Sequence, residues 1–185
     1  MKNILFTILT LITISTFAQQ DVTVSIHQKG RLEEEDNLTY YYKDLNNDLD
    51  KFLGTWKYID TNKELTVTFY QETNNYCGNS QDELYAKFTY SENGILVYNT
   101  FTNYRPNKKI SGAFFDDINK MELFYDEPST ITYRRTVNPP ILKIEFLGSD
   151  NLSGQPLLKW DLEYNTHGNE VWPFRIPKNL ILTRQ

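Results

Sequence analysis

Hydrophobic and polar positions alternate along most of this chain, and the clearest run is ELTVTFYQ, residues 64–71. Leu65, Val67 and Phe69 fall on one face there, and Thr66, Thr68 and Tyr70 on the other. That is the period of a half-buried strand. The same period predicts strands at TWKYID (55–60), ELYAKFTY (83–90), ILVYNTF (95–101), KKISGAFF (108–115), KMELFYD (120–126), TITYRRTV (130–137), ILKIEFLG (141–148), PLLKWDLEYN (156–165) and NLILTRQ (179–185). Turn residues separate them. Asn93-Gly94 tolerates the positive φ that a two-residue hairpin needs, and Asp116-Asp117-Ile118-Asn119 reads as another hairpin connection. A meander of short antiparallel strands has to close or fold on itself to hide its edges. The pattern therefore predicts an all-β domain over residues 46–185, an antiparallel meander of about 8–10 strands closing into a barrel.

The segments before that domain follow other patterns. Lys2, the apolar run Ile4–Ile14 and small residues at Thr16 and Ala18 read as a signal peptide, residues 1–18, cleaved after Ala18. That implies a secreted or periplasmic protein. Residues 19–45 read as a flexible lead-in. Within it DVTVSI (21–26) alternates like a short edge strand, HQKGRLEEEDN (27–37) is charged and lacks an apolar face, and Tyr40, Tyr41 and Tyr42 are set to dock on the domain surface. Residues 46–54 then predict one short N-terminal helix. Asn46 or Asn47 is its cap, Leu49, Phe52 and Leu53 form one apolar face, and Gly54 is its end.

Gly54-Thr55-Trp56, following that apolar turn and opening the first barrel strand, resembles the signature of the lipocalin, or calycin, family. The resemblance implies that Trp56 lies across the closed end of the barrel and that a basic residue of the last strand, here Arg184, packs on its indole. The family's Thr-Asp-Tyr motif and its C-terminal helix have no counterpart, so the expected fold is lipocalin-like. The chain also resembles a group of signal-peptide-bearing bacterial proteins in three places: YYKDxNNxLDKFxGTWKY at residues 41–58, DELxxxxxYxENGxxxxNT at 82–100, and IPKNLILTR at 176–184. That second resemblance implies export and a barrel-like fold, and brings no activity with it.

Composition narrows the chemistry. A net charge of −5 without a basic cluster argues against nucleic acid as a partner, and no second segment is apolar enough to span a membrane. Cys77 is the one cysteine, so an internal disulfide is excluded, and it reads as an incidental, partly buried residue. His27 and His167 are not spaced for a metal, and the acidic run Glu33–Asp36 lacks the ligand spacing of a calcium loop. No nucleophile elbow or phosphate loop is present, so no catalytic residue, metal or cofactor is expected and the protein does not read as an enzyme.

The aromatic share of 15 % is more telling. Barrel interiors need bulky side chains to fill them or to line a pocket. Tyr58, Phe69, Phe88, Tyr98, Phe114, Phe124, Tyr133, Phe146 and Trp160 are the inward candidates, and Trp172 sits in the last loop as a lid or a surface contact. The expected function is non-catalytic binding of a small apolar or aromatic ligand in the barrel. The alternative is a filled barrel acting as a structural or protein-interaction module of the cell envelope.

Overall fold

A computed structural model describes residues 20–102, 110–128, 140–164 and 172–185. The signal segment, the whole of the expected strand at 130–137 with Tyr133, and His167 lie outside the described residues. The strands are β1 (Gln20–Ser25), β2 (Leu38–Lys43), β3 (Gly54–Ile59), β4 (Lys63–Tyr76), β5 (Asn79–Glu92), β6 (Ile95–Asn99), β7 (Ile110–Asp117), β8 (Lys120–Tyr125), β9 (Ile141–Ser149), β10 (Pro156–Glu163) and β11 (Asn179–Arg184). Eight of them close a barrel, in the order β5-β4-β3-β11-β10-β9-β8-β7 and back to β5. Each neighbouring pair is antiparallel, so the barrel runs up and down in sequence order apart from the excursion of β6.

β5 is the hub. One of its edges pairs with β4 along its full length, while the other pairs in turn with β2 at Ser80–Gln81, β7 at Leu84–Ala86 and β6 at Thr89–Glu92. β4 and β5 are fourteen residues each, longer than their apolar alternation. Their polar ends continue the ladder to a two-residue turn at Cys77-Gly78, where both residues have positive φ, +48° and +97°. Cys77 is therefore exposed at a hairpin tip, where sequence had placed it partly buried. The Asn93-Gly94 hairpin forms as expected, with φ of +52° and +74°.

The lead-in is structured over most of its length. β1 pairs parallel with β2, and β2 parallel with β5. Tyr40 and Tyr42 face back onto the 29–37 loop, where the Tyr42 hydroxyl donates to Glu34, the Tyr40 hydroxyl takes the Glu35 amide at 3.0 Å, and Lys29 lies 4.4 Å over the Tyr42 ring. Tyr41 points the other way and donates to Asp82 Oδ1 at 2.8 Å.

Residues 46–53 do not form the predicted helix. They make successive i→i+3 turns, Asn47 O to Asp50 N, Leu49 O to Phe52 N and Asp50 O to Leu53 N. Asn47 at φ +57° and Gly54 at φ +101° bound a stretch too short to nucleate an α-helix. The cap is Asp44, whose carboxylate accepts the amides of Asp48 (2.8 Å) and Leu49 (2.9 Å), in place of Asn46 or Asn47. Leu49 and Phe52 are fully buried under the barrel. Lys51 ties this turn to the β7–β8 turn through the Ile118 carbonyl at 2.7 Å.

This is the Trp56 end. Trp56 is buried, donates its indole N–H to the Phe52 carbonyl at 2.7 Å, and lies opposite Arg184 in the register. The Arg184 guanidinium carbon is 4.7 Å from the indole centre, and Nη2 donates to the Lys51 carbonyl at 2.5 Å. Among the described residues no helix is long and apolar enough to cross a membrane.

Candidate ligand site at the barrel mouth

The other end of the barrel is formed by the β5–β6 turn, the end of β8, the end of β10 and the segment leading into β11. Alternation along the strands turns a set of aromatic rings into the barrel. Phe88 stacks on Tyr125 (6.3 Å between ring centres), and Tyr125 meets Trp160 edge-on (5.9 Å) and Phe174 (5.6 Å). Phe174 also contacts Tyr164 and Trp172, at 5.4 and 5.0 Å. Aromatic pairs at such separations and near-perpendicular angles are attractive beyond the area they bury.

The sequence-predicted residues divide. Phe69, Phe88, Tyr98 and Trp160 are buried, and Tyr58, Phe146 and Trp172 are half-buried against the core. Phe69 lies near the Trp56 end, paired across from Gly54, so it is remote in register from the mouth. Phe146 meets Trp56 edge-on at the same end. Phe114 and Phe124 point outward, packing on one another at 5.9 Å on the exterior. Gly112 and Ala113 both face in at a bulge in β7, which moves the inward phase to Phe115. On β8, Met121, Leu123 and Tyr125 are the buried set, and the alternation from Met121 already points to Tyr125.

Glu127 carries no periodic signal and was missed as a mouth residue, while Phe174 belongs with Trp172 to the last loop that sequence read as a lid or a surface contact. Glu127 is 2 % exposed, and its carboxylate accepts the amides of Arg175 and Ile176 at 3.1 Å. Burial raises its pKa above the ordinary carboxylate value, and the amide bonds only partly offset this. Around the same segment the Tyr90 hydroxyl reaches Glu92 Oε1 at 2.9 Å and the Arg175 carbonyl at 3.2 Å, and Arg175 pairs with Glu92 at 3.5 Å. Burial first, then the Glu92 bond and charge, push the Tyr90 hydroxyl upward. Residues 172–176 thus form a strap over the mouth, inserting Phe174 and the fully buried Ile176 and held down by Glu127.

Inside, the Trp160 side chain is fully buried and its indole N–H has no hydrogen-bond partner among the described residues. The Trp172 N–H is likewise buried and has no partner among the described residues. Among the described residues, no group of three or more His, Cys, Asp or Glu side chains is placed to hold a metal ion. His27, which sequence left without a role, bonds Asp48 at 2.9 Å and packs on Phe115 at the opposite end of the barrel.

The architecture defines an all-β protein built on a closed, eight-stranded, up-and-down antiparallel barrel. The chain belongs to the DUF6705 family, a family of unknown function, whose model matches residues 1–185. Searches of curated proteins and of solved structures return no match.

Proposed function

We propose that this is an exported, lipocalin-like, non-catalytic protein that binds a small, largely apolar or aromatic ligand within the barrel. The observation that carries the reading is the Trp160 indole N–H, a buried donor with no acceptor among the described residues, set edge-on against the Tyr125 ring. A buried donor left unpaired costs about 1–3 kcal/mol. A ligand with one acceptor atom recovers that cost while its rings replace those of Phe174 against Tyr125. The strap supports the reading too, because a short segment pinned by one buried carboxylate and a few side chains, outside the barrel's strand ladder, is easier to lift than a strand. The charged start, apolar run and small-residue site of residues 1–18 support export.

Native mass spectrometry of the protein purified from its own host tests this directly. The expected result is a co-purifying mass that leaves on unfolding. In parallel, an apolar fluorescent naphthalene dye binds saturably and quenches tryptophan emission, and Trp160→Phe weakens it roughly threefold to tenfold. Absence of both a co-purifying mass and saturable dye binding overturns the proposal. It would favour the filled barrel as an interaction module, a reading supported by the close ring-to-ring packing along Phe88, Tyr125 and Phe174.

A further inference from the structure

The β4–β5 hairpin runs past the Trp56 end of the barrel, and β1 and β2 lie along its edge. Between these strands is an outward-facing cavity of about 550 Å³. Its volume falls within the roughly 300–1,000 Å³ of small-molecule sites. Asp21, Thr23, Thr39, Tyr40, Tyr41, Thr73, Gly78 and Ser80 line it, and all but Asp21 and Gly78 bear a hydroxyl.

Most of those hydroxyl protons are already committed to the protein. Thr39 Oγ1 donates to Asp21. Tyr41 and Thr73 both donate to Asp82 Oδ1, each at 2.8 Å, and Ser80 donates to Asn75 Oδ1 at 2.6 Å. Asp82 is itself 3 % exposed, and its second oxygen takes the Asp44 amide at 3.0 Å. A hydroxyl has one proton and two acceptor lone pairs, so a hydroxyl whose proton points into the protein presents only acceptors outward. The cavity is therefore acceptor-rich, with Tyr41 and Thr73 fixed by buried Asp82 and Thr39 and Ser80 bonded at its exposed rim, and it calls for a ligand rich in donors. Charge narrows the class further. The Asp21 carboxylate opposes an anion, and the Lys43 ammonium, 5.9 Å from the centre of the Tyr41 ring, opposes a cation.

We propose that this cavity binds a neutral saccharide, whose hydroxyl groups donate to the oxygens of Thr39, Tyr41 and Thr73. The site lies at the opposite end of the molecule from the strapped mouth and does not depend on the barrel holding a ligand.

The test is a chemical-shift titration of the purified chain with methyl glucoside, galactose, N-acetylglucosamine and cellobiose, and with n-butylammonium as the cationic arm. The expected result is saturable shifts from at least one sugar, centred on residues 39–41, 73 and 80. Thr73→Val weakens that binding about fivefold to tenfold. Thr73→Val also frees a bond to buried Asp82, so Thr23→Tyr serves as the second variant. The Thr23 hydroxyl has no hydrogen-bond partner among the described residues, and a ring there fills the cavity. It abolishes sugar binding and leaves the unfolding midpoint unchanged. The proposal is overturned if no sugar gives a saturable shift up to roughly 10 mM, a range that reveals millimolar affinity. It is equally overturned if butylammonium binds in place of the sugars, or if sugar shifts gather at Trp160 and Trp172.

Discussion

Arg184 stacks on Trp56 and, through Nη2, holds the carbonyl of Lys51, so one side chain joins the last strand, the first barrel strand and the turn that precedes it. Replacing it removes a cation–π contact and a charge-assisted hydrogen bond together. Arg184→Ala is expected to lower stability by about 2–4 kcal/mol. Arg184→Lys should recover only a minor part of that, because an ammonium cannot lie flat on the ring while reaching the carbonyl. Urea unfolding of the two variants checks this, and a loss below about 0.5 kcal/mol for alanine would mean the pair does not hold the barrel shut. These residues were legible in sequence because each meets a demand few residue types satisfy. Gly54 takes φ +101°, Trp56 is a large rigid plug, and Arg is planar and charged. The cap was not legible. Asp44, Asn46 and Asn47 are all competent acceptors ahead of the same apolar turn. Asp44 is selected by its place at the end of β2, where its own amide is fixed by Asp82 across the sheet.

At the level of elements, period-two alternation located the barrel strands wherever the ladder is regular, and it failed where the ladder is not. β7 shows why. Its register breaks between Ser111 and Phe114, and Gly112 approaches β8 so closely that a Cβ there would meet the Glu122 carbonyl at 3.2 Å and the Leu123 Cα at 3.3 Å. The bulge flips the side chains that follow it as far as the second irregularity between Phe115 and Asp117, which puts Phe115 against the core and His27, and Phe114 on the surface. Phe115→Ala should therefore cost about 1–3 kcal/mol, and Phe114→Ala no more than about 0.5 kcal/mol. Thermal unfolding of the two single variants distinguishes them, and equal or reversed losses would place the bulge elsewhere. In the lead-in the edge strand at 21–26 was legible, whereas β2 was missed for a different reason. A parallel strand has no hairpin turn to announce it, and the partners of β2 on β5 lie some forty positions away in the chain. The charged run that read as a linker supplies Lys29, Glu34 and Glu35 to the tyrosines of β2.

Across the whole molecule the two ends of the barrel are closed by different physics, and pH separates them. The Trp56 end is held by Arg184 through an indole ring and a backbone carbonyl, partners that carry no titrating proton. The mouth is held by Glu127, buried among Tyr90, Glu92, Arg175 and the strap amides, with burial the largest influence on its proton. Its folded pKa lies above the ordinary carboxylate value, so the folded protein keeps this proton to higher pH than the unfolded chain does. Stability from this group is therefore complete below the unfolded pKa near 4.5, and is lost as pH rises through the folded pKa. Glu34 and Asp150 behave in the opposite sense. Their pKa values are lowered, chiefly by the Tyr42 and Ser153 hydroxyls, so their contributions disappear only on the acid side. The difference in urea midpoint between wild type and Glu127→Gln, followed from pH 4 to pH 8, isolates the mouth. It should shift in favour of the glutamine variant as pH rises above 4.5 and then level off once Glu127 is ionised in both states. A difference that stays flat across that range would mean that the strap, and not the burial of its carboxylate, sets the strength of the closure.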